Sequence, residues 1–415
     1  MLKPKLLILL LATALSTPVF AGIKTITAIS ESTSYGQKVT AAAVEYDETI
    51  KNADLDKAAF SVAGRTVTGV YATDAPNLAA KPQNGRIVMV KLSPDDADAG
   101  VTEQIGRAPS VMKNIVLDVS QTRPIQATWF RTVAPESGKS SRLINEVVDE
   151  FTQHEFTDPA TGIVVKYNLY TPKDMEAGER YPLVMFIHDA GSTNTNVLNT
   201  LLQGNGATVW AEPSSQAKQK AFVLAPQYDH EIVNDKSDNP PDLDPTINLI
   251  KSLTAQHPID TNRLYATGQS GGGMMSIALN IKYPDFFAAS YLVASQWAAD
   301  KTPPMAKNKL FILVSQDDTK AYPGENAITA ELEKYGAKVG RAVWNGNSTP
   351  AEFASDVQSL LAQGGNIHYA AIKSGTLPAQ LKDPNSTNRG QAHRGTWEIA
   401  YNIEGIRDWL YRQHK

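Results

Sequence analysis

The stretch Gly268-Gln269-Ser270-Gly271-Gly272 constrains this chain more than any other. It sits between the apolar run Arg263-Leu264-Tyr265-Ala266-Thr267 and a stretch of helical period from Gly271 to Tyr283. A strand that turns directly into a helix leaves no room for side chains beside the turn, so glycines there answer a steric demand. The serine at the apex takes a strained φ/ψ and projects its hydroxyl past the sheet edge. It then stands at a helix N-terminus, where dipole and free N–H groups favour negative charge. The segment therefore predicts a buried strand, a sharp elbow and a helix.

The surrounding texture agrees. From about residue 145 onward strands alternate with helical stretches, the pattern of a parallel α/β sheet. Tyr181-Pro182-Leu183-Val184-Met185-Phe186-Ile187 is apolar throughout, as a strand buried on both faces must be. Similar runs are Phe222–Ala225, Ser290–Val293, Leu310–Val314 and Ile367–Ile372, with helices expected over Thr246–Gln256, Glu325–Tyr335 and Trp397–Arg412. Residues 22 to about 135 read differently. Short alternating runs such as Lys24–Ile29, Phe60–Val62, Arg65–Tyr71, Arg86–Leu92 and Ile115–Val119 are separated by Gly, Pro, Asn and Asp. No helical period intervenes, which predicts an all-β sandwich of the immunoglobulin type. Ala134–Ser141, small and polar, reads as a linker. The expected domains are 22–135 and 136–415.

Residues 1–21 are set apart as a signal peptide. Lys3 and Lys5 precede the apolar run Leu6–Leu15, and Val19 and Ala21 supply a small-residue cleavage site. A membrane-spanning helix needs about 20 apolar residues, whereas this run breaks at Thr17-Pro18. The expectation is a secreted or periplasmic protein with no membrane attachment after cleavage. The 415 residues hold 39 Lys+Arg against 43 Asp+Glu, a formal charge of −4, which argues against a nucleic-acid partner. With no cysteine, thiolate metal sites and cysteine nucleophiles are excluded.

A serine at its free pKa is a weak nucleophile and needs a base with an orienting acid. When the nucleophile sits on such an elbow, the chain order is Ser, then Asp or Glu, then His. After Ser270 there are only His368, His393 and His414. His368 falls mid-strand and His414 lies at the terminus, whereas His393 lies in the polar stretch Asn388–Gly395, read as a loop before the final helix. His393 is the expected base. Asp317 and Asp318 directly follow the strand Leu310–Ser315; Asp318 is chosen as the acid, with Asp317 the alternative. Oxyanion donors are expected from the amide of Gly271 and from the loop His188-Asp189-Ala190-Gly191, with Ala190 chosen and Asp189 next. His188 is read as a brace for that loop. Trp297 is chosen as a substrate-binding residue lining an acyl or aryl pocket, with plain packing the competing role. The polar insertion Gln227–Asp244 is read as part of a rim. Its aspartates lack the ordered spacing of a calcium loop, and no metal is expected.

Several of these residues resemble a known group. Phe186-Ile187-His188-Asp189-Ala190-Gly191, Val223-Leu224-Ala225-Pro226-Gln227, the segment from Asp260 to Met275, and His393 with Thr396-Trp397, Ala400-Tyr401 and Trp409-Leu410 are similar to the secreted α/β-hydrolase esterases. That group is related to polyhydroxybutyrate depolymerases and feruloyl esterases, often labelled predicted peptidases. The closest likeness is to the subgroup with an immunoglobulin-like N-terminal domain. Many relatives carry glycine where this chain has Asp189. The resemblance implies an α/β-hydrolase fold, Asp318 rather than Asp317 as the acid, short-chain or aryl carboxylic esters as substrates, and no cofactor. A peptidase or polyester depolymerase working through the same residues is the alternative within catalysis, and a non-catalytic binding protein is the alternative outside it. Whether the chain forms a homo-oligomer is left open.

Overall fold

A computed structural model of the chain describes residues 22–105, 108–378 and 388–415. The expected signal peptide, 1–21, lies outside the described residues. Twelve strands form the N-terminal part: β1 (Ile23–Thr33), β2 (Gly36–Ile50), β3 (Phe60–Val62), β4 (Val67–Thr73), β5 (Gly85–Leu92), β6 (Thr102–Glu103), β7 (Val111–Met112), β8 (Asp118–Gln121), β9 (Ile125–Gln126), β10 (Thr132–Val133), β11 (Glu136–Lys139) and β12 (Arg142–Asn145). A five-stranded sheet in the order β12-β1-β2-β5-β4 and a three-stranded sheet in the order β11-β8-β3 make the immunoglobulin-like sandwich. Between them Tyr46 donates its buried hydroxyl to Gln121 at 2.8 Å, and the Gln121 amide donates onward to the carbonyls of Arg123, Val133 and Ala134. A buried amide satisfied in this way fixes strand order where apolar contact alone would allow slippage. The expected linker is partly strand, because Glu136–Lys139 pairs with Asp118–Gln121.

The α/β sheet has nine strands: β13 (Thr152–Thr157), β14 (Val164–Tyr170), β15 (Tyr181–Ile187), β16 (Phe222–Gln227), β17 (Ile259–Gln269), β18 (Ala289–Val293), β19 (Leu310–Ser315), β20 (Val339–Trp344) and β21 (Ile367–Ile372). Their order is β13-β14-β16-β15-β17-β18-β19-β21-β20, antiparallel at the β13–β14–β16 end and parallel thereafter. The helices are α1 (Asn199–Leu202), α2 (Pro213–Lys218), α3 (Leu243–Gln256), α4 (Gly271–Lys282), α5 (Ala321–Lys334), α6 (Pro350–Leu361), α7 (Asn388–Ala400) and α8 (Glu404–Tyr411). Strands β15, β16, β18, β19 and β21 are buried along their whole length. That explains their unbroken apolar sequences, since each buried aliphatic or aromatic side chain contributes about 1.5–3 kcal/mol. Phe311 of β19 is the hub, in ring contact with Tyr291, Trp344, His368 and Trp409. His368 is thus a core residue, and burial holds it below its usual pKa.

Two expectations at the C-terminal end change. The stretch Asn388–Ala400 is helical, so His393 stands on a helix rather than in a loop. The expected final helix is also broken: Asn402 and Ile403 close tight turns onto Ile399 and Ala400 before α8 begins. Ile399, Ile403, Ile406 and Leu410 keep helical spacing across that short break, which is why they read as one element.

The chain divides into two compact units, 22–28 with 41–93 and 116–142, and 29–40 with 94–115 and 143–415. Segments 29–40 and 94–115, expected within the β-domain, therefore cluster with the α/β sheet. Within that unit Asn194 donates to the Ser110 carbonyl at 2.8 Å and Asn402 to the Ser34 hydroxyl at 3.2 Å.

Candidate active site

Ser270 joins β17 to α4 at φ 51°, ψ −119°, a conformation rarely open to a residue with a side chain. The need for glycine around it can be measured. A Cβ on Gly268 would fall 2.4 Å from the Gly272 carbonyl carbon, and one on Gly272 would fall 1.9 Å from the Ile187 oxygen. Both obstacles are backbone and cannot step aside. The strained residue is pinned at both ends, its amide donating to Val293 and its carbonyl accepting from Met274, each at 2.9 Å.

Helix α7 brings His393 over this elbow, with Nε2 2.7 Å from Ser270 Oγ. On the other side of the ring Nδ1 donates to Asp318 Oδ2. With the Nδ1 hydrogen committed to the carboxylate, Nε2 presents its lone pair to the serine hydroxyl, the tautomer that proton abstraction requires. One turn further along α7, Trp397 packs edge-on against the imidazole, ring centres 4.9 Å apart at 69°. Asp318 follows β19 and is fully buried. Its Oδ1 accepts the amides of Lys320 at 3.1 Å and Ala321 at 3.0 Å, which seats it at the start of α5. Desolvation pushes its pKa up, yet the hydrogen bond and charge of His393 and the two amides outweigh that and hold it below the usual carboxylate value. Asp317 points elsewhere, accepting the Ser374 hydroxyl and, at 2.8 Å, the Gly375 amide. Of the two adjacent aspartates, Asp318 alone meets the imidazole.

After β15 the chain turns into a short 3-10 segment, Ala190–Ser192, so the Ala190 amide sits at a helical first position with no intrahelical acceptor. The Gly271 amide occupies the equivalent place in α4. The two lie close together: a Cβ on Gly271 would stand 3.2 Å from the Ala190 nitrogen. Beneath this loop His188 is buried, donating from Nδ1 to the Asp189 carbonyl at 2.8 Å and accepting the Tyr228 amide on Nε2 at 3.1 Å. Burial lowers its pKa against the opposing pull of that carbonyl, which suits a neutral brace. Asp189 turns its carboxylate inward, to Ser192 at 3.0 Å and to Gln269, the residue before the elbow serine, at 3.1 Å.

In front of Ser270 lies a cleft of about 390 Å³, lined by Ala190, Val233, Gly271 and Met274 and by the polar Glu231, Asn234, Asp235, Gln296 and Lys320. The insertion 227–244 thus supplies part of its wall. It is pinned by an Asp235–Lys320 ion pair and by His230, which bridges Asp229 at 2.9 Å and Asp242 at 3.0 Å. Trp297 does not line this cleft. It is 5% exposed and packed into the protein, and its neighbour Gln296 faces the cleft instead. A residue following a strand end alternates between core and cleft, and sequence position alone cannot separate the two. Among the described residues no three His, Asp or Glu gather into a cation-binding cluster. Trp397 and Val233 are site residues that the sequence reading does not single out, and Asp189, the second choice as oxyanion donor, has its carboxylate turned to Ser192 and Gln269. For Trp397 the signal was present, since it lies four residues from His393 and shares its helix face.

A nine-stranded, mostly parallel sheet carrying its serine on a strand–helix elbow at the C-terminal edge defines an α/β-hydrolase. Residues 25–133 match the family model described as the esterase Ig-like N-terminal domain, and residues 165–301 match the one described as esterase PHB depolymerase. The chain is an esterase, a carboxylic ester hydrolase with an immunoglobulin-like N-terminal domain. It superposes on the crystal structure of a thermostable esterase at 25% identity and TM-score 0.80, covering 94% of this chain and 100% of that one. It also matches a mutant feruloyl esterase module from Clostridium thermocellum complexed with sinapinate, at 11% identity and TM-score 0.41 over 61% of this chain and 86% of that one. No curated protein matches the chain.

Proposed function

We propose that this esterase hydrolyses short-chain or aryl carboxylic esters by acylating Ser270. The reading rests on one observation, the continuous relay from Ser270 Oγ to His393 Nε2 at 2.7 Å and from His393 Nδ1 to Asp318. Ser270 Oγ attacks the ester carbonyl while its proton passes to His393 Nε2. The carbonyl oxygen becomes an oxyanion, held by the amides of Ala190 and Gly271; a single donor of this kind is worth about 3–4 kcal/mol in the transition state. As the tetrahedral species collapses, the C–O bond to the alcohol breaks and His393 returns the proton to the departing oxygen. Water then attacks the acyl-enzyme by the same route, His393 taking its proton, and the carboxylic acid leaves with Ser270 restored. Asp318 stays ionised throughout and steadies the imidazolium.

A cleft of about 390 Å³ whose lining includes the apolar Ala190, Val233 and Met274 suits a compact acyl or aryl group. The charged n-region, apolar run and Val19/Ala21 cleavage site of residues 1–21 support export to the periplasm or the medium. The deciding experiment is fluorophosphonate labelling beside a panel of p-nitrophenyl esters, hydroxycinnamate esters, polyesters and peptide amides, with Ser270→Ala as blank. Labelling and turnover of small esters that vanish in Ser270→Ala are expected. A folded wild type that neither labels nor turns over any ester would overturn the reading.

A further inference from the structure

Behind the elbow, β18 ends in a turn, 294–296, under unusual constraint. Ala294 adopts φ 48° without being glycine. It directly follows Val293, whose carbonyl receives the Ser270 amide, and its own amide donates to Leu313 at 2.9 Å. Two helices press on this turn more closely than side chains permit. A Cβ on Gly273 of α4 would stand 2.8 Å from Ser295 Cβ, and one on Gly324 of α5 would stand 2.7 Å from Gln296 Cβ. The helix that begins at the candidate nucleophile and the helix seated on the candidate acid thus grip one short turn between them.

Into that grip α5 sends Glu325. The residue is fully buried, its Oε1 accepts the Ser295 hydroxyl at 2.6 Å, and its Oε2 has no hydrogen-bond partner among the described residues. A carboxyl in such a place is costly and is not needed to fill space, which leucine would do better. Burial pushes it up to about 8, against the lowering effect of the Ser295 hydroxyl and amide, and the Asp318 charge adds to the rise. It is therefore uncharged at neutral pH. The titratable groups that interact with it are Asp318 and, from β21, Tyr369; the gripped turn and the first turn of α4 offer Ser295, Gln296 and Gly273, none of which titrates.

We propose that Glu325 is a positioning residue, which through Ser295 locks turn 294–296 to α5 and so holds the Val293 carbonyl that anchors Ser270 in register with Asp318. The proposal rests on the reading of Ser270 and Asp318 as nucleophile and acid. Loss of the lock lets the two helices shift relative to each other, and a misplacement of about 1 Å at a reacting group costs up to about a hundredfold. Ionisation of Glu325 strains the same lock, because it leaves a buried carboxylate with one unpartnered oxygen in the field of the Asp318 charge.

The test uses the full-length chain with p-nitrophenyl acetate. Glu325→Leu and Ser295→Ala are expected to lower kcat by about tenfold to a hundredfold with KM little moved. Glu325→Gln keeps an uncharged acceptor for Ser295 and is expected to recover most of kcat at pH 7. It should also lack the fall in kcat expected of the wild type as pH rises through about 8. Wild-type kcat in a folded Glu325→Leu or Ser295→Ala would overturn the proposal. So would a Glu325→Gln enzyme as impaired as Glu325→Leu, or one with the wild-type alkaline limb. If Glu325→Leu does not fold, Ser295→Ala and Glu325→Gln decide alone. Absence of any Ser270-dependent turnover in the wild type would instead remove the parent reading, so the two failures are separable.

Discussion

Backbone strain, not side-chain packing, aims the hydroxyl of Ser270, since its φ of 51° is fixed by contacts of neighbouring glycines and by two backbone hydrogen bonds. Removing only the hydroxyl should therefore leave the fold alone. Ser270→Ala is expected to melt within about 2 °C of the wild type, a surface-scale perturbation. Its ester turnover should fall by about a million-fold, as when a nucleophile is lost from a triad. Calorimetry and stopped-flow assays check the two halves. Asp318→Asn should cost about ten-thousand-fold in kcat by favouring the wrong imidazole tautomer. It also carries a stability signature. The folded-state pKa of Asp318 is depressed, so its stabilising contribution is present above the unfolded value of about 3.9 and disappears as pH falls through the lower folded value. Urea unfolding should show Asp318→Asn weaker than wild type at pH 6, with the gap closing as the pH drops below about 3.9. A gap that stayed constant down to pH 2 would show that Asp318 gains nothing from His393 and the α5 amides.

At the scale of elements, the sequence was most legible where local sterics and burial pointed the same way. The elbow was readable because only glycine fits at 268 and 272, and β15, β16 and β19 because burial on both faces demands unbroken apolar runs. Edge elements were not. Thr152–Thr157 of the edge strand β13 is almost wholly exposed and shows no alternation; the central strand β2 was obscured for another reason, since it buries Ala41-Ala42-Ala43, residues with little preference for strand. Helix α6 was overlooked although its capping box, Thr349 with Glu352, stands in the sequence; Thr349→Ala should cost about 1 kcal/mol of stability. The meeting of Glu325 with Ser295 or of Asp189 with Gln269 is tertiary and leaves no periodic trace. The cleft wall 227–244 is expected to hold more tightly at low pH, through the His230 bridge to Asp229 and Asp242. His230 has a raised pKa, mainly from its hydrogen bond with Asp229 and then that with Asp242. Such a group adds stability below its unfolded value of about 6.5 and loses it as pH rises through the higher folded value. Limited proteolysis within 227–244 should accelerate from pH 6 to pH 9, and His230→Gln should remove that dependence. Equal cleavage rates at both pH values in the wild type would dismiss the His230 clasp.

For the whole molecule, the order of residues along the chain misleads about what the hydrolase sheet needs. Segments 29–40 and 94–115 precede the sheet by many residues yet belong to the same compact unit. Their attachments fall close to the site. Gly36, at φ 97°, lets the 29–40 hairpin approach the Leu202 carbonyl so closely that a Cβ would stand 2.9 Å from it. The Ser110 carbonyl receives the side chain of Asn194, whose own amide donates to Tyr228 at 3.0 Å. Asn194 ends the loop that begins with the Ala190 amide, so the 94–115 segment steadies a candidate oxyanion donor at one remove. A fragment comprising 136–415 is therefore more than an enzyme without its β-domain, because it lacks part of its own catalytic unit. It should melt at least about 5 °C lower than residues 22–415. Its kcat on a small ester should fall by about tenfold, with KM less affected, as expected for a donor displaced by a fraction of an ångström. Asn194→Ala in the full-length chain should reproduce part of the kcat loss with little of the thermal loss, since it severs the Ser110 link and leaves the hairpin in place. A fragment with unchanged melting temperature and unchanged kcat would show that the two N-terminal segments contribute nothing to the hydrolase unit they join.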